Sequence, residues 1–233
     1  MDVIILAGGL GTRLSSVVND RPKCMANVNN KPFLGYLFFY LNKFKLINNV
    51  ILSLGYKSDF VISWLKDNIN NYSFNIDYVV EKEPLLTGGG IKLALTKTLS
   101  NDVLILNGDT FFDIDIDVFY SYHSQTKANV SIALKQMYDF DRYGKVEINN
   151  NIVTAFKEKC FCKEGLINGG VYLIDKNKTN LLSFAKKFSF EKDFLEKKVN
   201  DNVIYGFVFN SYFIDIGIVQ DYEKANEDFK TIF

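Results

Sequence analysis

VIILAGGLGTRL, from Val3 to Leu14, joins a continuous apolar run to a glycine-rich turn that ends in one arginine and a leucine. An apolar run that stops at glycine, as Val3–Ala7 does, is typical of a buried parallel strand. Glycines leave backbone N–H groups accessible to an anion, and Arg13 adds a forked positive charge. Because ligands of open α/β sheets bind where the parallel strands end, this turn is predicted to hold a phosphate chain.

Two common phosphate-binding motifs are excluded. The dinucleotide fingerprint G-x-G-x-x-G requires a third glycine where this chain has Leu14. The P-loop requires Gly-Lys-Ser or Gly-Lys-Thr, and neither triplet occurs in the sequence.

The first half of the chain alternates strand and helix patterns, which predicts a parallel, doubly wound sheet. Pro32 fits a helix start, with Leu34, Leu37 and Leu41 at helical spacing. The further predicted elements are a strand at Val50–Leu54, a helix near Asp59–Asn68, a strand at Ile76–Val80, a helix from about Gly90 to Leu99 and a strand at Val103–Leu106.

The second half has more strands and fewer helices, so it is expected to add a small antiparallel insertion over one edge of the main sheet. Asn149–Asn151 is predicted to be a hairpin turn, and a last helix is predicted near Val219. The strands predicted here are Val130–Leu134, Lys145–Ile148, Ile152–Phe156, Leu166–Ile174 and Val203–Phe209. The predicted fold class is therefore α/β, with a Rossmann-like, mostly parallel mixed sheet flanked by helices in a single domain over residues 1–233.

The composition argues against nucleic-acid binding and against a membrane-spanning protein. The chain has 233 residues, 48% of them hydrophobic, with 27 basic and 27 acidic side chains. A neutral chain has no overall field to hold nucleic acid or an anionic membrane, and no apolar run reaches the roughly 18 residues of a membrane span. Three cysteines without a disulfide-like spacing indicate free thiols in a reducing compartment, which predicts a cytoplasmic protein.

Three segments at fixed spacing resemble a known family. LAGGLGTRL at Leu6–Leu14, RPK at Arg21–Lys23 and KP at Lys31–Pro32 match the signature of the sugar-1-phosphate nucleotidylyltransferases. The resemblance covers nearly the whole chain, from Asp2 to about Glu223. It implies the nucleotide-diphospho-sugar transferase fold, with a nucleotide-binding part over about 1–115 and a sugar-binding part over about 116–233. It also implies transfer of a nucleoside monophosphate from a nucleoside triphosphate to a sugar 1-phosphate.

The resemblance implies roles for residues on the nucleotide side. Arg13 would hold the β- and γ-phosphates, Lys23 would bridge the α-phosphate and the leaving group, and Asp109 would complete the catalytic set. EKEPLLTGGG, Glu81–Gly90, resembles the EPLGTAG segment that closes over the base. The implied nucleotide-binding residues are Leu6, Ala7, Gly8, Gly9, Gly11, Thr12, Arg13, Lys23, Thr87, Gly88, Asn107 and Asp109.

Two aspartates are candidates for a metal site. Asp109 and Asp215 each follow an apolar run, at a point where the chain can turn toward the ligand crevice. Taken alone, either one is explained as an ordinary turn residue. The family uses an aspartate in a GD segment and another in a DIG segment to hold Mg²⁺, which is therefore the implied cofactor.

The sugar side is implied by AFKEKC and INGGVYLID. The residues expected to contact the sugar 1-phosphate are Gly144, Glu158, Lys159, Asn168 and Gly169. A glycine inside a strand weakens the strand unless something must approach closely, and a ligand is one sufficient reason.

Within the family, the pattern most resembles members that use GTP and D-glycero-α-D-manno-heptose 1-phosphate. Mannose-1-phosphate guanylyltransferase and glucose-1-phosphate thymidylyltransferase activities are the alternatives. A non-catalytic nucleotide or sugar sensor is an alternative from another class. The chain is expected to lack the C-terminal β-helix of some relatives, and its aromatic residues are compatible with a homodimer or with simple core packing.

Overall fold

The computed structural model describes residues 1–9, 11–14 and 16–233, with Thr12 described for its backbone only. The strands, in chain order, are β1 Asp2–Ala7, β2 Asn27–Val28, β3 Lys31–Pro32, β4 Asn49–Leu54, β5 Asn75–Val80, β6 Asp102–Asn107, β7 Thr110–Phe112, β8 Val130–Phe140, β9 Gly144–Asn149, β10 Ile152–Lys159, β11 Cys162–Asp175, β12 Ile204–Phe209 and β13 Phe213–Asp215. The α-helices are α1 Phe33–Leu41, α2 Ser58–Asn68, α3 Leu86–Leu95, α4 Ile116–Thr126, α5 Lys176–Thr179, α6 Glu196–Lys198 and α7 Val219–Ile232. A π-helix covers Phe190–Leu195, and short 3₁₀ turns include Thr12–Leu14 and Lys23–Met25.

Nine strands form one sheet in the order β5-β4-β1-β6-β11-β8-β12-β10-β9. The first four of these neighbours are parallel, β11 runs antiparallel between β6 and β8, and β12 runs parallel to β8. Two small pairs, β2 with β3 and β7 with β13, lie outside it. The mixed, mostly parallel sheet of the predicted fold class is confirmed.

Strand β1 is apolar on both sides, so both faces of the sheet are covered at this strand. Val3 and Ile5 of β1 point into a core that α1, α4 and α7 complete. Ile4 points into the opposite core, which α3 and the segment near Phe190 complete. A strand buried on both faces is therefore a continuous apolar run, as the sequence indicated.

Two features differ from the predictions. Most strands of the second half extend the same sheet, with β11 inserted beside β6, and the antiparallel β9–β10 hairpin pairs with both β12 and β11. Helix α3 begins at Leu86, about four residues before the predicted start at Gly90, so the three glycines lie inside its first turns.

Across the described ranges, no helix combines the length and the hydropathy that crossing a bilayer requires.

Candidate active site

A cavity of about 730 Å³ runs along the edge where the parallel strands end. The strand order sets its layout: Glu81 follows β5, Tyr56 comes after β4, Gly8 follows β1 and Asp109 comes after β6. Three strand spacings separate the first and last of these positions, about 14 Å. The predicted nucleotide residues that line the cavity are Leu6, Ala7, Gly8, Gly9, Gly11, Arg13, Lys23, Thr87, Asn107 and Asp109. The predicted role of the Thr12 side chain lies outside what the structure describes.

The glycine-rich turn after β1, called the glycine turn below, includes Gly8, Gly9, Gly11 and Arg13. Its backbone lies close to the side chains of Lys23 and Glu81. Gly11 has φ +66°, a conformation that favours glycine, and the Lys23 side chain packs against it. A Cβ at Gly8 would lie 2.9 Å from Glu81 Oε1, so bare backbone at Gly8 makes room for that carboxylate. Arg13 lies in the 3₁₀ turn that follows and is exposed. The turn thus faces the cavity with bare backbone and one cation.

Lys23 and Asp109 form an ion pair in the cavity lining, at the end opposite Glu81. Lys23 Nζ donates to Asp109 Oδ2 at 2.7 Å, and the two side chains are 13% and 30% exposed. The 3₁₀ turn Lys23–Met25 and the end of β6 position them. Sequence reasoning found both residues but not their direct contact.

Asp215 lies next to this pair. The strands β7 and β13 are antiparallel, with Asp215 opposite Thr110, and Ile216 N donates to the Asp109 carbonyl at 2.9 Å. Burial, followed by the negative charge of Asp109, raises the pKa of Asp215 above its ordinary value of 3.8. Asp215 Oδ1 accepts from Gly217 N at 2.7 Å. The structure brings together the two predicted metal-binding residues, although Asp215 is not part of the cavity lining.

These two carboxylates are the side chains that could hold a divalent cation. Both offer hard oxygen atoms, and a cation between them would stabilise the ionised form of Asp215, which burial and then the Asp109 charge disfavour. Among the described residues, no group of three or more His, Cys, Asp or Glu side chains is arranged to hold a metal. A cation here would therefore complete its coordination from phosphate oxygens and water.

Glu81 lies at the other end of the cavity and was not predicted as a site residue. Its Oε2 accepts from Leu85 N at 3.0 Å, and its Oε1 packs close to Gly8 and Gly90. Burial raises the pKa of its carboxyl above the ordinary 4.5. The available signal in the sequence was an acidic residue directly after a parallel strand.

The segment predicted to close over the base is held by a second segment, Phe188–Glu191. Thr87 Oγ1 donates to Glu191 Oε2 at 2.6 Å and accepts from Phe190 N at 2.9 Å. Gly88 N donates to the Phe188 carbonyl at 3.0 Å, and a Cβ at Gly88 would collide with the Phe188 ring. Thr87 lines the cavity with its hydroxyl already engaged, whereas Gly88 is buried by protein packing. Gly88 is absent from the described cavity lining, and its predicted contact with the nucleotide stays a prediction.

The predicted sugar-side residues do not line the described cavity. Asn168 Nδ2 donates to Tyr172 Oη at 2.8 Å, and Asn168 Oδ1 accepts from Gly170 N at 3.0 Å. A Cβ at Gly169 would collide with the Phe112 ring, and one at Gly144 would lie 2.6 Å from the Lys157 carbonyl oxygen. Close packing therefore accounts for both glycines without a ligand.

Two further contacts relate the sugar-side residues to each other and to the cavity. Lys159 pairs with Gly144 across the hairpin of β9 and β10, and both Lys159 and Glu158 are exposed at the end of β10. Gly170, with φ +70°, packs against Asn107, which lines the cavity. The segment around Asn168 therefore adjoins the cavity through Asn107.

Comparison with known proteins decides the family. The family pattern described as "Nucleotidyl transferase" matches residues 2–231. The chain belongs to the nucleotidyl transferase family. Because this match spans almost the entire sequence, the glycine turn, the Lys23–Asp109 pair and the mixed sheet are parts of one nucleotidyl transferase.

Similar proteins carry more specific names. The D-glycero-alpha-D-manno-heptose 1-phosphate guanylyltransferase of Aneurinibacillus thermoaerophilus is 49% identical over 98% of each chain. The protein of the same name from Campylobacter jejuni is 47% identical over 95% of this nucleotidyl transferase and 97% of its own length. The crystal structure of HddC from Yersinia pseudotuberculosis complexed with GMP-PN has a TM-score of 0.86 and 39% identity, covering 98% of this chain and 99% of that one.

Proposed function

We propose that this chain transfers GMP from GTP to D-glycero-α-D-manno-heptose 1-phosphate, releasing pyrophosphate. The observation that carries the proposal is the Lys23–Asp109 pair, which lies beside both the glycine turn and Asp215. The names of two relatives that are 49% and 47% identical support the choice of GTP and of the heptose phosphate.

The reaction joins two anions. A phosphate oxygen of the sugar 1-phosphate attacks the α-phosphorus of GTP, and the bond from that phosphorus to the bridging β-phosphate oxygen breaks. The attacking oxygen is already ionised at neutral pH, so no general base is needed. Lys23 and Arg13 stabilise the charge that builds on the α-phosphate and on the departing pyrophosphate, and the glycine turn orients the phosphate chain.

Mg²⁺ is the cofactor that fits this site. Asp109 and Asp215 would hold it, each with one carboxylate oxygen already fixed by Lys23 or Gly217. When bound, Mg²⁺ offsets negative charge on the phosphate oxygens. Asp109 then serves two roles, because it also fixes the Lys23 ammonium group.

The base is placed at the Glu81 end. Guanine presents two adjacent donors, N1–H and the 2-amino group, whereas thymine presents one N–H between two carbonyls. An ionised carboxylate only accepts hydrogen bonds, so Glu81 matches guanine better than it matches thymine. A site built to accept such donors discriminates strongly against a base that lacks them.

The sugar 1-phosphate is placed on the β9–β11 side of Asp215. Lys159 and Gly144 pair across the β9–β10 hairpin, with Glu158 adjacent in the chain. Asn168 and Gly169 directly precede Gly170, which packs against Asn107 of the cavity lining. Lys159 would bind the sugar phosphate and Glu158 would accept hydrogen bonds from hydroxyl groups. A cytoplasmic location and a homodimer remain predictions beside this assignment.

Pyrophosphate release tests the function. The purified chain is assayed with Mg²⁺, each of the four common NTPs and dTTP, against a panel of heptose, mannose and glucose 1-phosphates. Release with GTP and the manno-configured heptose phosphate is expected. Preferred release with mannose 1-phosphate or with dTTP would identify one of the two alternative activities, and no release with any pair would favour a non-catalytic sensor.

Glu81→Gln tests the base assignment. The amide keeps the shape of the side chain but presents one acceptor and one donor, so one guanine contact becomes donor against donor. We expect kcat/KM for GTP to fall about 100-fold, with a smaller effect on dTTP. Because ionised Glu81 is the accepting form, GTP affinity should also fall as the pH drops through its raised pKa. An unchanged preference for GTP would contradict this role.

A further inference from the structure

Cys160 and Cys162 bring two sulfur atoms into contact where β10 leads into β11. Their Sγ atoms lie 3.8 Å apart, and both residues are free thiols. A disulfide bond is about 2.05 Å long, so the two sulfur atoms would have to approach by about 1.8 Å to form one. Side-chain rotation together with a small backbone adjustment covers a distance of this size.

Strand pairing fixes the backbone on both sides of the two thiols. Cys160 belongs to the two-residue link between β10 and β11, and Cys162 is the first residue of β11. Before the link, Lys159 pairs with Gly144 of β9, and after it, Cys162 pairs with Phe140 of β8. Because both ends of the link are held, joining the sulfur atoms costs little further conformational entropy.

The two thiols are accessible, and cations lie near them. Cys160 is exposed and Cys162 is half-buried, whereas Cys24 is only 3% exposed. Reactive thiols are typically accessible and close to positive charge. The lysines nearest to the two thiols are Lys159 and Lys163, which flank them in the chain, and Lys145, whose charge acts on Cys162.

We propose that Cys160 and Cys162 form a redox-active dithiol, which a small-molecule disulfide oxidises to an intramolecular disulfide and which a thiol reduces again. Cys160 is the first to react, because it is the more exposed of the two. In addition, burial and then the contact with Cys160 raise the pKa of Cys162 above its ordinary value of 9.0.

The oxidation takes place in two exchange steps. The Cys160 thiolate attacks one sulfur of the small-molecule disulfide, whose S–S bond breaks and releases one thiolate. Cys162 Sγ then attacks the Cys160 sulfur, gives its proton to the second departing thiolate and closes the intramolecular bond. The protein loses two electrons and two protons, and the reagent gains them as two thiols.

Oxidation is expected to weaken binding on the sugar side, and this consequence rests on the proposed function. Lys159, which is assigned to the sugar phosphate, directly precedes Cys160. Drawing the two sulfur atoms together changes the backbone of the link that follows Lys159. The KM for the sugar 1-phosphate should therefore rise on oxidation. The KM for GTP should change less, because its proposed site lies at the ends of β1, β5 and β6.

Thiol labelling tests the dithiol without any activity measurement. The full chain is equilibrated with oxidised or reduced glutathione, labelled under native conditions with N-ethylmaleimide and weighed by mass spectrometry. The reduced chain should take up label at Cys160 and Cys162. The oxidised chain should take up none and weigh less by two hydrogens, and dithiothreitol should restore both labels. Cys162→Ser should stop after the first step, with one glutathione on Cys160. Both labels retained in oxidised glutathione, a glutathione on each cysteine, or a disulfide between two chains would overturn the proposal.

Pyrophosphate release from the same two preparations tests the consequence for the sugar side. Oxidation should raise the KM for the sugar 1-phosphate about fivefold and leave that for GTP within about twofold. The double variant Cys160→Ser/Cys162→Ser is the control, and its KM values should not respond to glutathione. Equal KM values in both preparations would overturn the effect on the sugar side. No release from the reduced chain would instead overturn the proposed function, whereas the labelling result decides the dithiol in either case.

Discussion

Lys23 is held by one short ion pair and by contact with the glycine turn. Its Nζ lies 2.7 Å from Asp109 Oδ2, and its methylene chain packs against Gly11. A cation fixed in this way needs little reorganisation when charge develops on a phosphate, which is the main source of catalysis in phosphoryl transfer.

Lys23→Ala should lower kcat for pyrophosphate release by a factor of about 100 or more while the fold stays intact. The reason is that charge on the α-phosphate and the leaving group loses its fixed cation. Lys97→Ala is the control, because Lys97 makes a 2.7 Å ion pair with Asp77 on the surface, outside the cavity lining. Turnover near the wild-type value in Lys23→Ala, with an unchanged circular dichroism spectrum, would show that the assigned role is wrong.

Asp215 is held at the expense of stability. Its pKa is raised by burial and by Asp109, so the folded state disfavours its ionised form. The cost is absent below the ordinary pKa of 3.8, where the carboxyl is protonated in both states. It grows as the pH rises from 3.8 to the raised pKa and is constant above it. At neutral pH, Asp215 therefore destabilises the metal-free fold.

Asp215→Asn should raise the Tm at pH 7 in the absence of metal, on the order of 2 °C, and remove the stabilisation by Mg²⁺. Asparagine Oδ1 can still accept the Gly217 N–H, so the loop is preserved. Thermal melts at pH 7 and at a pH below 3.8 check the sign, because the difference should vanish at the lower pH. A metal-free Tm below that of the wild type at pH 7 would contradict this account.

At the scale of elements, the start of α3 is packed against the segment Phe188–Glu191. The Phe188 carbonyl accepts from both Gly88 N and Gly89 N, at 3.0 and 3.2 Å. The Phe188 ring lies where a Gly88 side chain would be. This contact sets where α3 begins and, through Thr87, the position of the segment that is proposed to border the base.

Gly88→Ala should destabilise the fold. Alanine gains about 1 kcal/mol over glycine inside a helix, but overpacking against a buried ring costs about 1–3 kcal/mol, so the net effect should be a loss. Phe188→Leu should recover part of it, which gives a coupling free energy in a double-mutant cycle followed by urea unfolding. Gly9→Ala is the control for added bulk, since nothing lies within 4 Å of that position. Strictly additive effects of Gly88→Ala and Phe188→Leu would refute the contact.

The helix boundary shows where sequence reasoning fails at this scale. The predicted start is about Gly90, and three successive glycines have poor helix propensity, so nothing local indicates an earlier start. The structure places Gly88–Gly90 inside α3 because Phe188, the Lys186 carbonyl and Glu81 occupy the space around them. Such contacts come from residues up to about a hundred positions away and leave no local signal.

For the whole molecule, the continuous apolar runs of β1, β4 and β6 were enough to predict a parallel sheet. That prediction also placed the predicted nucleotide-binding residues where the parallel strands end, and the cavity lies at these strand ends. The insertion of β11 between β6 and β8 could not be predicted, because it depends on pairing between distant strands. For the same reason, the close packing of Gly144 and Gly169 could not be distinguished from a sugar contact.

The proposed function predicts that the base binds at the β5 end, the triphosphate at the glycine turn and the metal between Asp109 and Asp215. A crystal structure of the full chain with a non-hydrolysable GTP analogue and Mg²⁺ tests this most directly. It should show guanine within hydrogen-bond distance of Glu81, the phosphates against Gly8–Arg13 and Lys23, and the metal on both aspartates. A triphosphate bound away from the glycine turn and from both carboxylates would contradict the account.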